Sequence, residues 1–199
     1  PSVAPKRKGG AWALGYDAAL AAIGKADAAL CLTTVDPEFV RPALKRGARL
    51  ERLVPFLDGA PYARAATRRA GRTNDPPLLL AVGMFRPGDK LDSYRLLAQA
   101  LARIADRPWR LLVVGDGSEK RAVKQAFSPL KPRVRYLGQA DARAMPAIYA
   151  ACDLYVWPAV REAYGMAMLE AQAAGLPVVA GLGVGVGDVV ANGTTGMLV

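Results

Sequence analysis

Apolar and polar positions alternate along the C-terminal part of the chain in blocks that predict strands and helices in turn. From Leu78 on, short continuous apolar runs, typical of strands buried on both faces, are separated by segments with apolar residues at helical spacing. In the first of these segments, Tyr94, Leu97, Leu101 and Ile104 would share one face of a helix. Regular alternation of strands and helices implies right-handed crossovers and a parallel sheet.

The elements of this part of the chain can be assigned in order. The predicted strands are residues 78–84, 110–117, 133–138, 153–158, 177–181 and 195–199. The predicted helices are residues 92–105, 118–127 with Ser118 as N-cap, 142–151 and 165–174, and a helical turn follows at 187–193. We therefore expect an α/β fold with a Rossmann-like parallel sheet and flanking helices.

The first part of the chain predicts a different, smaller α/β fragment. Helices are expected at 11–26 and 37–46, and strands at 28–34 and 49–57. Two strands bury too little surface to fold as a domain by themselves. We therefore expect residues 1–57 to be the end of an N-terminal domain whose beginning is absent. Residues 58–77, rich in Gly, Pro, Arg and Asn, predict an interdomain linker, and residues 78–199 the second domain.

Composition narrows the chemistry that the chain can carry. Hydrophobic residues make up 52% of the chain, which is enough for a core, but no apolar run reaches the roughly 20 residues that span a bilayer. The chain has no histidine, which excludes Ser-His and Cys-His nucleophiles and histidine metal sites within it. Cys31 and Cys152 lie in apolar stretches, and we expect them to be reduced core residues.

The net charge of +10 favours an anionic partner, namely nucleic acid, anionic lipid or a phosphorylated small molecule. No zinc spacing, helix-turn-helix or aromatic-rich strand supports nucleic-acid binding, so we expect no nucleic-acid partner. The basic residues Lys6, Arg7 and Lys8 leave peripheral contact with a membrane open. We expect a cytoplasmic protein, with the inner face of the membrane as an alternative location.

Polar residues and glycines follow the strands at the edge where an open parallel sheet binds ligands. Arg86 and Lys90 follow the first strand, Asp116 follows the second, and Arg161 and Glu162 follow the fourth. With several glycines and a helix N-terminus, they indicate a site for a diphosphate. The glycines at 138, 181, 183, 185 and 187 belong to the same set. The run GLGVGVG is not a dinucleotide fingerprint, because it follows the last full strand instead of the first.

Glu170 is the single charged residue between Glu162 and Asp188. It falls about five residues inside a predicted helix, so it would lie about 7 Å from the helix start. A covered carboxylate needs hydrogen-bond donors, and sugar hydroxyls would supply them. The alternative is that Glu170 is simply exposed on an amphipathic helix.

Several stretches resemble a known family. EAYGMAMLE, from Glu162 to Glu170, is similar to the E-x7-E motif of retaining GT-B glycosyltransferases of family 4 (glycosyltransferase group 1). The stretches LLVVGDGSEKRAVKQAF, VRYLGQ, IYAACDLYVWPAVREAYG and AQAAGLPVVAG resemble the family in order and spacing, and VPFLD resembles the end of its N-terminal domain. The resemblance covers most of residues 28–199.

The resemblance implies transfer of a sugar from a nucleotide-diphosphate sugar to an acceptor hydroxyl with retention of anomeric configuration. Glu170 would bind the ribose, and Glu162 the transferred sugar. Arg86 and Lys90 would hold the diphosphate and stabilise the leaving group, so that neither a metal nor a cofactor is needed. Further donor contacts would come from the backbone at Leu137 and Gly138, facing the base, and from Gly165 and Met166 at the helix start.

The sequence departs from the family pattern in ways that keep alternatives open. Family members commonly have Gly-Arg after the first strand, whereas here Gly83 is followed by Met84 and the arginine is Arg86. We expect the chain to be truncated at both ends, and a non-catalytic nucleotide-sugar-binding fragment is the alternative to an enzyme. A nucleic-acid binder and a sugar-nucleotide 2-epimerase are less favoured. The sugar and the acceptor, lipid-linked or small, are not specified, and polysaccharide or glycolipid biosynthesis is the expected context.

Overall fold

A computed structural model describes residues 13–69, 71 and 73–199, apart from the side chain of Arg69. The basic residues Lys6, Arg7 and Lys8 and the predicted helix start at Ala11 lie outside the described residues. The chain divides into two units, Pro1–Pro55 and Phe56–Val199. No helix within the described residues is long and apolar enough to cross a membrane.

The described residues of the first unit form two helices and two short strands. Its elements are α1 (Ala13–Lys25), β1 (Ala28–Cys31), α2 (Asp36–Val40), which continues as a 3₁₀ turn at Arg41–Ala43, and β2 (Arg49–Arg52). The two strands pair in parallel and form a two-stranded sheet. Both strands are shorter than the sequence predicts. Cys31 is buried, and burial raises the pKa of its thiol.

The second unit alternates helices and strands as the sequence predicts. Its helices are α3 (Ala60–Arg69), α4 (Asp89–Ala102), α5 (Lys120–Ala126), α6 (Met145–Ala150) and α7 (Met166–Ala173). Its strands are β3 (Leu78–Val82), β4 (Arg110–Val114), β5 (Val134–Gly138), β6 (Leu154–Trp157), β7 (Val178–Ala180) and β8 (Gly196–Leu198). 3₁₀ turns lie at Ser128–Arg133 and Val186–Asp188.

All six strands of this unit form one parallel sheet in the order β5-β4-β3-β6-β7-β8. The chain builds the sheet outwards from β3 in one direction through β4 and β5. It then crosses back to β6 beside β3 and continues in the other direction. The strand order therefore reverses between β3 and β6, and this reversal point is where open α/β sheets bind ligands. The predicted fold class is confirmed.

Large side chains fill the core between the sheet and its helices. Tyr94, Tyr149 and Tyr155 are at most 1% exposed, and the ring of Tyr94 packs edge-on against Trp157 at 4.9 Å between centroids. Buried residues of α4 include Tyr94, Leu97 and Leu101, as the helical spacing predicts. Ile104 is an exception: α4 ends at Ala102, and Ile104 is 38% exposed.

Two further sequence-based assignments differ from the structure. The N-cap of α5 is Glu119 and not Ser118, because the chain turns for two more residues before the helix begins. Residues 58–77, predicted to be an interdomain linker, contain helix α3, which belongs to the second unit. The ring of its Tyr62 lies 6.0 Å from the ring of Tyr149 on α6. Packing of this side chain against the core stabilises a helix in a segment whose Gly and Pro residues predict a linker.

The ends of β3 and β4 approach so closely that one glycine is required there. Gly115 has a φ of +148°, and a Cβ on it would lie 1.9 Å from the carbonyl oxygen of Gly83. We expect Gly115→Ala to lower the free energy of unfolding by about 3 kcal/mol, because backbone must shift against backbone. Gly187→Ala is the control, since its Cβ would meet nothing within 4 Å. Urea denaturation measures both, and equal midpoints would contradict the close approach.

Candidate functional site

A cleft of about 660 Å³ lies at the carboxyl edge of the sheet, at the reversal point between β3 and β6. The loops after β3, β4 and β5 form one wall, and the loop after β6 with the start of α7 forms the other. This volume suits a ligand of nucleotide size. Every lining residue lies between Val82 and Glu170, so the cleft belongs entirely to the second unit.

A charged pair spans the two walls of the cleft. Lys90 at the start of α4 makes a salt bridge to Oε2 of Glu162, and the two side chains are only 17% and 15% exposed. The indole N–H of Trp157 donates to the same carboxylate oxygen at 3.1 Å. The ammonium of Lys90 also lies 5.3 Å from the centroid of the Trp157 ring. Glu162 and Lys90 are therefore oriented by the last residue of β6.

A second carboxylate lines the cleft about one helical turn inside α7. Glu170 is half-buried, and the hydroxyl of Tyr149 donates a hydrogen bond of 2.7 Å to its Oε2. The ring of Tyr149 is fully buried between Tyr62 and Tyr155. The carboxylate therefore has a donor within the chain, which the sequence did not predict. Tyr149 fixes one oxygen and orients the group towards the cleft.

The environment of Glu170 opposes its ionisation. Burial raises the pKa of Glu170, and the hydrogen bond from Tyr149 offsets part of that rise. A glutamate whose pKa is higher in the folded than in the unfolded chain contributes stability that is present at low pH. That contribution is lost as the pH rises through the folded-state pKa. The ionised form of Glu170 is thus maintained at a cost in stability.

We expect Glu170→Gln to unfold at a higher temperature than the wild type at pH 7, because glutamine accepts the Tyr149 hydrogen bond without a buried charge. The difference should disappear below about pH 4, where the wild-type carboxyl is protonated in both states. Thermal unfolding between these pH values measures the effect. Glu51→Gln, on an exposed strand residue, is the control. A stability difference that does not change with pH would contradict this account.

Six of the eight predicted site residues line the cleft together: Arg86, Lys90, Glu162, Gly165, Met166 and Glu170. The other two, Leu137 and Gly138, do not line it, and Gln139 and Ala140 do so instead. The physical reason is that β5 continues to Gly138, whose carbonyl accepts a hydrogen bond from the N–H of Gly115 at 2.8 Å. The chain then turns at Gly138, with φ +81°, and the next two residues reach the cleft.

The contributions of the glycines and of Arg161 also differ from expectation. Gly83, Gly115 and Gly165 line the cleft, whereas the glycines from 181 to 187 do not. Arg161 does not line it either, because its guanidinium pairs with Asp89 on α4.

Sequence reasoning missed Tyr149 and Trp157, both of which hold a cleft carboxylate. Trp157 is the last residue of β6 and carries an indole N–H donor at the ligand-binding edge of the sheet. This position in the sequence could have identified it as a candidate site residue. Tyr149 lies 21 residues from Glu170, and the contact depends on how α6 packs beside α7. No local pattern reports that packing.

The chain matches a known family and its members. The family described as Glycosyl transferases group 1 matches residues 76–199. A D-inositol 3-phosphate glycosyltransferase of Corynebacterium efficiens is 34% identical over 166 residues, which is 76% of this chain and 39% of the relative. A GDP-mannose-dependent monoacylated alpha-(1-6)-phosphatidylinositol monomannoside mannosyltransferase of Corynebacterium glutamicum is 29% identical over 148 residues, 70% of this chain and 38% of the relative.

Solved structures show the same fold. Sucrose-phosphate synthase from Thermosynechococcus elongatus superimposes with a TM-score of 0.75 at 25% identity, covering 91% of this chain and 47% of the other. Anabaena HepE in complex with UDP-glucose gives a TM-score of 0.69 at 22% identity, covering 92% of this chain and 52% of the other. This agreement confirms the GT-B-like α/β fold that the sequence predicts.

The chain spans 39% of the length of the Corynebacterium efficiens relative, and the matched family region contains the whole cleft. Because the family match covers residues 76–199 of 199, it accounts for more than half of the chain. The chain belongs to the family Glycosyl transferases group 1.

Proposed function

We propose that the cleft is the donor site of a glycosyltransferase that uses a nucleotide-diphosphate sugar. The observation that carries the proposal is that charged side chains of both signs from separate segments line one cleft at the sheet reversal point. The cations are Arg86 and Lys90, and the carboxylates are Asp116, Glu162 and Glu170. Membership of the family supports the same assignment.

The nucleoside would lie along the first turn of α7. Glu170 offers its carboxylate to the two ribose hydroxyls, with Tyr149 holding one oxygen in place. Backbone N–H groups at the start of α7, after Gly165, face an anion favourably because of the helix dipole. The ribose and the phosphate are thus separated by about one helical turn, roughly 5 Å. We assign the base to the wall that carries Gln139 and Ala140.

The diphosphate would be held by Lys90 and Arg86. Arg86 lies on an exposed part of the loop after β3, and Lys90 is covered. Lys90 already contacts Glu162, so the phosphate would share the ammonium with that carboxylate. This arrangement places Glu162 beside the sugar attached to the diphosphate, where it can accept hydrogen bonds from sugar hydroxyls.

The reaction would break the bond between the anomeric carbon and the β-phosphate oxygen. The electron pair goes to that oxygen, and Lys90 and Arg86 stabilise the charge that develops there. The acceptor hydroxyl attacks the anomeric carbon from the face that the phosphate leaves, and its proton passes to the departing phosphate. The new bond then has the same anomeric configuration as the old one. In this scheme the two side-chain cations take the electrostatic role that a metal ion has in other enzymes, and no cofactor takes part.

The acceptor proposed first is a phosphorylated polyol or its lipid conjugate. Relatives are named for D-inositol 3-phosphate and for a phosphatidylinositol monomannoside, and both carry phosphate. A net charge of +10 is compatible with anionic acceptors and with work at the inner face of a membrane. Glycolipid biosynthesis in the cytoplasm is the corresponding setting.

Transfer is tested by incubating the chain with UDP-glucose, UDP-N-acetylglucosamine or GDP-mannose and D-inositol 3-phosphate, with and without EDTA. We expect a product whose anomeric proton shows the configuration of the donor, formed at the same rate with EDTA. An inverted product would contradict the retaining mechanism, and loss of activity with EDTA would contradict metal independence. Nuclear magnetic resonance distinguishes the anomers.

A second candidate is binding of a nucleotide sugar without transfer. It is favoured by the fact that every lining residue comes from the second unit, so a donor can be held by that unit alone. Donor binding without product formation would support this candidate.

A further inference from the structure

Two ion pairs of opposite sense join α4 to the loop between β6 and α7. Lys90 on α4 pairs with Glu162 on the loop, inside the cleft. The residues that precede these two pair with the charges exchanged: the acidic Asp89 is on α4, and the basic Arg161 is on the loop. The Nε–H of Arg161 donates to Oδ1 of Asp89 at 2.6 Å, and the Arg161 guanidinium also lies 3.6 Å from Asp92. Arg161 is 60% exposed, so this pair is outside the cleft.

A buried serine ties the same two segments together. Ser93 is 1% exposed, its hydroxyl donates to the carbonyl of Asp89 at 2.8 Å, and it accepts the N–H of Val160 at 3.0 Å. Both hydrogen-bonding roles of the hydroxyl are therefore used, one within α4 and one across to the loop. Without Ser93, the N–H of Val160 would lose the partner that the structure gives it.

The loop needs such restraint because its backbone is unfavourable. Ala159 and Arg161 have φ values of +56° and +46°, in the left-handed region that residues with a side chain seldom adopt. They flank Val160, the residue held by Ser93. A hydrogen bond and an ion pair thus fix a loop whose intrinsic preference is a different conformation.

We propose that Ser93 and Arg161 are positioning residues that hold the loop 159–162 against the start of α4 and so place Glu162 for the donor sugar. The inference rests on the proposed donor site for its functional part. Neither residue lines the cleft. Their effect passes through the position of Glu162 and leaves the nucleoside end of the cleft, at Glu170, unchanged.

Hydrogen exchange tests the restraint without reference to any ligand. In Ser93→Ala, we expect amides of residues 159–162 to exchange roughly tenfold faster than in the wild type. Amides of β3 and β4 should keep their wild-type rates. Arg95→Gln is the matched control, because Arg95 is an exposed residue of the same helix whose ion pair is with Asp92 of that helix. Unchanged exchange in the loop of Ser93→Ala would overturn the proposal.

Ligand affinity tests the functional part. We titrate UDP, UDP-glucose, GDP and GDP-mannose into the wild type, Ser93→Ala, Arg161→Gln and Arg161→Lys. Either UDP with UDP-glucose or GDP with GDP-mannose is expected to bind. For that pair, we expect Ser93→Ala and Arg161→Gln to weaken the affinity for the nucleotide sugar about five- to tenfold, and the affinity for the nucleoside diphosphate less than twofold. Arg161→Lys should recover most of the loss, since it keeps the charge that pairs with Asp89.

The outcomes separate the two proposals. Equal weakening of nucleotide and nucleotide sugar would show a general loss of structure and would overturn the positioning role. Faster loop exchange with unchanged affinity for the sugar conjugate would overturn it as well. If the folded wild type binds no nucleotide, the donor site itself is wrong, and the exchange rates alone then decide whether Ser93 restrains the loop.

Discussion

Replacing Lys90 by glutamine is expected to lower the rate of sugar release from the donor roughly 100- to 1,000-fold. Loss of one charged group that stabilises developing negative charge has effects of this size. Lys90 is the covered cation of the cleft, and its ammonium is fixed by Glu162 and Trp157. Glutamine is shorter than lysine by one bond and keeps an N–H donor, but it carries no charge for the departing phosphate. The rate is measured without an acceptor as hydrolysis of the donor, monitored by the amount of nucleoside diphosphate released.

Lys124→Gln is the control for Lys90→Gln. Lys124 lies on α5, its ammonium is 5.4 Å from the centroid of the Tyr136 ring, and it does not line the cleft. Lys124→Gln removes the same charge from the molecule as Lys90→Gln, and we expect it to change the rate of sugar release less than twofold. Thermal unfolding of both variants verifies that they are folded. A folded Lys90→Gln variant with wild-type rate would remove Lys90 from the chemistry.

Replacing Glu170 by alanine is expected to weaken binding of the nucleoside diphosphate roughly 10- to 100-fold. Hydrogen bonds to a charged acceptor contribute about 1.5–3 kcal/mol, and the ribose would make them to this carboxylate. A change in the ligand tests the ribose contact more specifically than the Glu170→Ala variant alone. The wild type should bind the 2′-deoxy form of the same nucleotide about tenfold more weakly than the ribonucleotide. Glu170→Ala should bind both forms equally.

Tyr149→Phe complements this comparison. It removes the hydroxyl that donates to Glu170 at 2.7 Å and leaves the carboxylate in place. We expect a loss of ribonucleotide affinity that is smaller than in Glu170→Ala, because the carboxylate loses its orientation but not its charge. If Glu170→Ala still bound the ribonucleotide about tenfold more tightly than its 2′-deoxy form, a group other than Glu170 would contact the ribose.

The fold was predictable because its signals are local and repeated. Continuous apolar runs gave the strands of the second unit, and helical spacing in α4 named Tyr94, Leu97 and Leu101 as core residues. The alternation of strands and helices implied a parallel sheet, whose carboxyl edge is the expected ligand edge. The order of the strands and the reversal point between β3 and β6 were not predicted and come from the structure. Helix α3 was not predictable in the same way. Its Gly- and Pro-rich surroundings indicate a linker, and its stabilising contact with Tyr149 is distant in sequence.

The site was predictable where residues follow directly on strands or begin a helix. Arg86, Lys90, Glu162 and Glu170 were found in this way. The partners of these residues were harder to find, because contacts between packed helices and loops have no sequence period. Tyr149 and Ser93 show this, since each reaches a segment far along the chain. Leu137 and Gly138 were expected at the cleft, but Gln139 and Ala140 line it instead, because β5 extends to Gly138 before the chain turns.

Calorimetric titration of UDP, GDP and ADP into this chain is the decisive experiment for the proposed nucleoside-diphosphate site in the cleft beside β3 and β6. We expect one of the three to bind with a dissociation constant in the range of about 1 μM to 1 mM, with one molecule per chain. Absence of heat with all three, in a sample that melts cooperatively, would contradict the proposed site.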